Sequence, residues 1–188
     1  SPEAAGLFRV GTSVALLIAF PITVLNIVTG PMLARMHATG DRPEMQKLLR
    51  WTSTRMAASV LILTLPFVFY GAPLLARVFG SEFRAANEVL VVLCIGTLAS
   101  AFFGTNAMLL NMAGQSRHVT RASAISLLTL CIASPLAIQS WGALGAAAAN
   151  AVAMLTWNIL LWRAAMLHLS LDSSVMSVFR RSGTTGKD

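Results

Sequence analysis

Four long stretches of the chain contain no charged residue, and they constrain the fold more than any other feature. They run from Val10 to Ala34, from Met56 to Ala76, from Val89 to Ser116 and from Ala122 to Trp162. About 20 apolar residues in a helix cross a hydrocarbon core of about 30 Å. Only 11% of the residues are charged, whereas a soluble domain carries about 25%. The sequence therefore predicts an all-α integral membrane protein.

The fourth stretch is long enough for two crossings. A single helix through it would be about 60 Å long, and a polar group from Gln139 to Gly142 interrupts it near the middle. We therefore predict a turn over Gln139 to Ala143 that joins two antiparallel spans. Five transmembrane helices are expected, and their predicted bounds are Thr12 to Met32, Thr52 to Tyr70, Val89 to Met112, Ser123 to Ile138 and Leu144 to Ala164.

The domain organisation follows from these spans. Residues 1–168 form the predicted membrane domain, and residues 169–188 form a tail. Apolar residues of the tail could form a helix on the membrane surface, or the tail could be solvated and disordered; residues 182–188 are expected to be disordered in either case. The chain opens on Ser1 without a basic leader region, so we expect it to be the C-terminal part of a longer protein.

Basic residues are distributed unevenly between the two sides of the predicted bundle. Eleven Lys and Arg residues fall on one side, in the loop from Arg35 to Arg55, in the loop at Arg117 and after the fifth span, and three fall on the other. Because cytoplasmic loops carry the excess of Lys and Arg, the larger group and the C-terminus are predicted to be cytoplasmic. This bias accounts for the net charge of +7, so no nucleic-acid partner is expected.

Two connecting segments carry helix-start signals. Asp41 is followed three residues later by Glu44, a pattern typical of a capped helix, so a short cytoplasmic helix is predicted to lead into the second span. Ser81 is a candidate N-cap on the outer side.

Small residues within the spans predict close helix packing. Gly96, Ser100 and Gly104 recur at intervals of four in the third span, and Gly145 and Ala149 do so in the fifth. A helix that carries such a ridge can be approached closely by its neighbour.

Neutral polar side chains form stripes on three of the predicted spans, and we interpret them as candidate linings of a substrate cavity. Thr23 and Asn26 lie between Pro21 and Pro31, which suits a helix beside a wet cavity. The candidates are Thr23, Asn26, Thr97, Ser100, Asn111, Ser123 and Ser126. The alternative is that these side chains only bond across helix pairs, at about 0.6 kcal/mol each.

Patterns that would indicate catalysis are missing from the sequence. It contains no metalloprotease, nucleophile-elbow or phosphate-loop motif, and no ionisable residue lies in the middle of a predicted span. Cys94 and Cys131 fall within predicted spans, where a thiol packs as a small hydrophobe. We predict no catalytic residues, no metal site, no disulfide and no cofactor.

Four segments resemble the C-terminal half of bacterial polysaccharide transporters, the lipid-linked oligosaccharide flippases of the multidrug/oligosaccharidyl-lipid/polysaccharide exporter superfamily. Their order and spacing match from about Gly6 to Leu171. The segments are Gly30-Pro31-Met32-Leu33-Ala34-Arg35, Phe79-Gly80-Ser81-Glu82-Phe83, Gly114-Gln115-Ser116-Arg117 and Gly142-Ala143-Leu144-Gly145-Ala146.

This resemblance implies a two-lobed transporter of about twelve spans in the bacterial inner membrane. The five predicted spans would form one six-helix lobe minus its first helix, with the missing N-terminal lobe as a partner. The implied substrate is an isoprenoid-lipid-linked oligosaccharide, as used in lipopolysaccharide and other envelope polysaccharides. The alternatives are a peptidoglycan-precursor or drug exporter of the same superfamily, a membrane-embedded enzyme subunit and a non-catalytic subunit. The charged cavity residues of some relatives have no counterpart here, so substrate identity and coupling ion are not carried over.

Overall fold

The computed structural model describes residues 2–169, with side chains from residue 5 onward, and it is helical almost throughout. The tail predicted from residue 169 lies, apart from Leu169, outside the described residues. The helices are α1 (Pro2–Thr39), α2 (Arg42–Phe79), a 3-10 helix (Ser81–Ala85), α3 (Ala86–Phe103), α4 (Asn106–Met112) and α5 (Ser116–Leu169). Within the described part, four helical stretches are long and apolar enough to cross a membrane, as expected of a multi-pass membrane protein.

The connection between α1 and α2 is a tight turn at Gly40, which has a φ of 72°. The Asp41 side chain accepts a hydrogen bond of 3.1 Å from the backbone N–H of Glu44, and Pro43 occupies the first turn of α2. The predicted cap is therefore confirmed. The separate short helix is wrong, because α2 continues without interruption from this cap into the apolar stretch.

The connection between α2 and α3 contains the 3-10 helix. Gly80, with a φ of 108°, precedes it, and no side chain caps its start. Ser81 is therefore the first residue of the 3-10 helix and does not act as the predicted N-cap. The Phe83 ring packs near the Phe79 ring, with centroids 6.3 Å apart.

The predicted third span, Val89 to Met112, is broken in the structure. Gly104 has a φ of 74° and a ψ of −152°, which ends α3. Its N–H donates to the Ser100 carbonyl at 3.2 Å, and the Asn106 amide donates to the Phe103 carbonyl at 2.7 Å. Since residues with a side chain rarely adopt a left-handed φ, glycine suits this position as a helix terminator. The prediction of one continuous helix was wrong here.

Helix α5 folds back on itself at Gly142, whose φ of 55° and ψ of −127° are not helical. The Ser126 hydroxyl donates to the Ala153 carbonyl at 2.8 Å, whereas a straight helix would separate these residues by about 40 Å. At the open end of the hairpin, which is the end away from Gly142, the His118 and His168 rings lie 4.2 Å apart. Residues 116–141 and 143–169 are thus two antiparallel arms, and the reversal falls inside the predicted turn.

Helix α3 is central, because α1, α2 and α5 all pack against it. Buried apolar side chains form two separate cores. The first core includes Ile18, Val60, Leu75, Leu90 and Ala147, and the second core includes Leu33, Leu49, Leu110, Ala122, Leu161 and Ala165. The second core lies where α1 ends, α2 starts and both arms of α5 have their open end, so the cores occupy opposite ends of the bundle.

The outward surface is strongly apolar. Large side chains such as Leu17 and Phe69, each 72% exposed, and Leu136, 66% exposed, point away from both cores. A soluble protein rarely exposes so many large apolar groups on neighbouring helices. This surface is suited to contact with lipid chains.

Candidate substrate cavity

A cavity of about 520 Å³ lies between the two cores. Helices α1, α3 and α4 and the second arm of α5 form its walls. Its polar lining consists of Thr23, Asn26, Thr97, Ser100, Thr105, Asn111, Trp157 and Asn158, and the remaining lining is aliphatic or Met.

The structure brings together five of the seven residues that the polar stripes predicted. Thr23 and Asn26 come from α1, Thr97 and Ser100 from α3, and Asn111 from α4. Their convergence on one cavity agrees with a role in lining. That they contact a substrate stays a prediction.

The other two predicted residues lie elsewhere. Ser126 donates its hydroxyl to the Ala153 carbonyl across the hairpin, so it is a helix-to-helix contact. Ser123 is exposed on the first arm of α5 and is not among the cavity residues. Neither residue lines this cavity, to which the first arm of α5 contributes no residue.

Asn158 is a lining residue that the sequence reading missed. It is 6% exposed, and its amide donates to the Ser100 hydroxyl at 2.6 Å and to the Met154 carbonyl at 2.8 Å. The bond to Ser100 ties α5 to α3 at the cavity wall. An Asn inside an apolar stretch was the available signal, because a buried amide needs partners.

The break at Gly104 helps to form the cavity. Because α3 stops there, Thr105 and the short α4 lie along the cavity wall. Gly30 of α1 lies against the flexible end of the Met108 side chain of α4, since a Cβ at Gly30 would lie 2.9 Å from the Met108 Cε. Gly104 itself was predicted as a packing residue; in the structure it ends α3 and lines the cavity.

The other predicted packing residues lie at close helix contacts. A Cβ at Gly96 would meet the Ala151 backbone at 3.4 Å, so α3 and α5 pack closely there. Gly145 lies directly on the Ala137 carbonyl of the opposite arm, and Ala149 is 2% exposed.

No family model, no curated protein and no solved structure matches the chain.

All sixteen residues that line the cavity are uncharged. Its one hydroxyl-to-amide pair, Ser100 and Asn158, has no base in it, because an amide does not take up a proton at neutral pH. The lining can donate and accept hydrogen bonds but presents no charge to a ligand. Among residues 2–169, no group of three or more His, Cys, Asp or Glu side chains is arranged to hold a metal ion.

Hydrogen-bonding capacity in the cavity wall is only partly used. In the described part of the chain, six buried polar side-chain atoms have no partner within the protein, and three belong to cavity residues. These are the Asn26 Oδ1, the Thr105 Oγ1 and the Trp157 Nε1. Each unpaired buried group costs about 1–3 kcal/mol, so their concentration in one cavity points to a binding site.

Proposed function

We propose that this chain belongs to a transporter that flips isoprenoid-lipid-linked oligosaccharide repeat units across the bacterial inner membrane. One observation carries the proposal, namely a 520 Å³ cavity with hydroxyl and amide lining inside a bundle of membrane-length helices. Hydroxyl and amide groups can bond a sugar that has left water. The same groups facing lipid would each cost several kcal/mol.

Five crossings fit this function. Helices α1 and α2 give two, α3 with α4 gives the third, and the arms of α5 give the fourth and fifth. The antiparallel contacts of the arms support separate crossings. Irregular backbone at membrane depth is tolerated where it lines a cavity, which is the situation of Gly104, and broken helices at the substrate site are typical of transporters.

The charge distribution supports an orientation. Of the 14 Lys and Arg residues, 11 lie in residues 2–169; Arg9, Arg77 and Arg84 lie nearer the first core, and the other eight lie nearer the second. By the excess of Lys and Arg on cytoplasmic loops, the second core faces the cytoplasm and so does the end of α5. The cavity then extends toward the cytoplasmic side, since Asn111, Met112 and Leu161 line it.

A second lobe completes the proposal. The resemblance to polysaccharide transporters implies that a further group of helices faces this cavity, and rocking of one lobe against the other gives alternating access. A drug exporter of the same superfamily is a second candidate, because Met108, Met112 and Met154 line the cavity and flexible Met side chains adapt to varied apolar ligands.

The test replaces Thr23 and Asn26 together with Leu in the full-length protein. We expect surface polysaccharide to fall at unchanged protein level, because the cavity loses its polar groups from α1. The control replaces Ser123 and Thr129, which lie outside the cavity lining, and should leave export unchanged. Normal export by the Thr23 and Asn26 variant would show that neither side chain contributes to transport.

A further inference from the structure

The three unpaired atoms of the cavity wall come from three different segments. Asn26 is on α1, Thr105 is at the junction of α3 and α4, and Trp157 is on the second arm of α5. All three residues line the same cavity. A single bound group could therefore contact all three segments at once.

Thr105 is the most informative of the three residues. It is 4% exposed and occupies the N-cap position of α4, yet its side chain makes no capping bond. Helix α4 begins instead with the Leu109 N–H donating to the Thr105 carbonyl at 3.1 Å. The fold does not use the hydroxyl, and an unpaired buried hydroxyl destabilises the protein that contains it.

The three atoms form a mixed hydrogen-bonding set. The Trp157 Nε1 only donates, the Asn26 Oδ1 only accepts, and the Thr105 hydroxyl does both. A ligand hydroxyl also does both, so the hydroxyl groups of a saccharide match this set in donor and acceptor type. An ionised carboxylate has no proton to donate to the Asn26 oxygen.

Charge separates the ligand classes further. No ionisable side chain lines the cavity, so an acidic sugar would enter an apolar setting without a positive partner. An unpaired charge in such a setting is strongly disfavoured. Uncharged sugars avoid this penalty.

We propose that the cavity binds an uncharged, hydroxyl-rich saccharide group and discriminates against acidic ones, with Asn26, Thr105 and Trp157 as the hydrogen-bonding contacts. This inference rests on the proposed function, because it specifies the headgroup that the transporter accepts. The inference concerns which headgroups the cavity selects, and the proposed transport function does not by itself determine that selectivity.

The first test compares two lipids with the same anchor. Full-length protein in detergent is titrated with monoglucosyl-dioleoylglycerol, which is neutral, or with glucuronosyl-dioleoylglycerol, which is acidic, and the bound fraction is measured by native mass spectrometry. We expect the neutral lipid to bind at least tenfold more tightly.

The second test changes the contacts. Thr105→Val and Asn26→Leu should each weaken neutral-lipid binding at least fivefold. Thr105→Ser keeps the hydroxyl and should bind the neutral lipid as tightly as the unmodified protein does. Thr105→Val should not lower the melting temperature, since it removes an unpaired hydroxyl. The controls are Thr156→Val and Asn150→Leu. The Thr156 hydroxyl bonds the Val152 carbonyl of its own helix, and Asn150 lines a different cavity. Both control variants should bind the neutral lipid as tightly as the unmodified protein does.

Each failure has a distinct meaning. If the unmodified protein binds both lipids with equal affinity and Thr105→Val loses this binding, the charge selectivity is overturned and the transport proposal stands. Neutral-lipid binding that both variants retain overturns the assigned contacts. Binding of neither lipid by the unmodified protein overturns the inference, whereas the proposed function is tested separately by polysaccharide export in the Thr23 and Asn26 variant.

Discussion

A buried hydroxyl pair joins α1 to α2 and allows a quantitative test of the fold. The Thr29 and Thr52 Oγ1 atoms lie 3.2 Å apart, and the two residues are 1% and 0% exposed. Thr29→Val keeps the shape of the side chain but leaves the Thr52 hydroxyl without its partner. Replacing both with Val removes the bond once and leaves no hydroxyl unpaired.

The expected coupling follows from measured bonds between membrane helices. Such bonds contribute about 0.6 kcal/mol on average and at most about 1.7 kcal/mol. The two single variants together should therefore lose about 0.6–1.7 kcal/mol more stability than the double variant loses. This difference equals about threefold to sixteenfold in the unfolding equilibrium.

The assay is unfolding in graded sodium dodecyl sulfate, followed by helical circular dichroism in a double-mutant cycle. Thr54→Val replaces Thr52→Val in the control cycle, because Thr54 is exposed and its hydroxyl bonds the Arg50 carbonyl of its own helix. That cycle should be additive within about 0.3–0.5 kcal/mol. Additivity of Thr29 with Thr52 would refute the hydrogen bond between the two hydroxyls.

Three further predictions concern other parts of the molecule. Gly145→Val should lower protein accumulation, because a side chain there collides with the opposite arm; normal accumulation would contradict the hairpin contact. Loss of hydration, and then nearby positive charge, lower the pKa of His118 below 6.5, so the folded state favours neutral His118 and loses stability as the pH falls below 6.5. Arg121→Gln should raise the pKa of His118 in an NMR titration. An unchanged pKa would exclude the Arg121 charge as a cause. In intact cells, a thiol reagent from outside should label Glu82→Cys and spare Lys47→Cys, and the reverse result would invert the proposed orientation.

The uncharged stretches were sufficient to predict the long helices. Hydration of charged groups prevents them from lying in an apolar layer, so their absence marks the segments directly. The same reasoning could not find the break at Gly104. A glycine four residues from Ser100 fits a packing ridge as well as a helix end, and no local pattern distinguishes the two.

The candidate site was partly predictable for a similar reason. Helical periodicity places Thr97 and Ser100 on one side of α3 whatever the rest of the fold does. The contributions of α5 depend on how its arms are rotated about each other, and no local pattern records that rotation. Ser126 was therefore expected in a cavity that it does not line, and Asn158 and Trp157, which do line it, were missed.

The reversal at Gly142 also bears on how the chain enters the membrane during synthesis. Between Arg121 and Arg163 there is no charged side chain, so a helical hairpin that inserts tip first carries no charge through the hydrocarbon. Each Lys, Arg or Asp at the centre of a helix would raise the free energy of insertion by about 2.5–3.5 kcal/mol. The two arms of α5 can therefore partition into the bilayer as one unit.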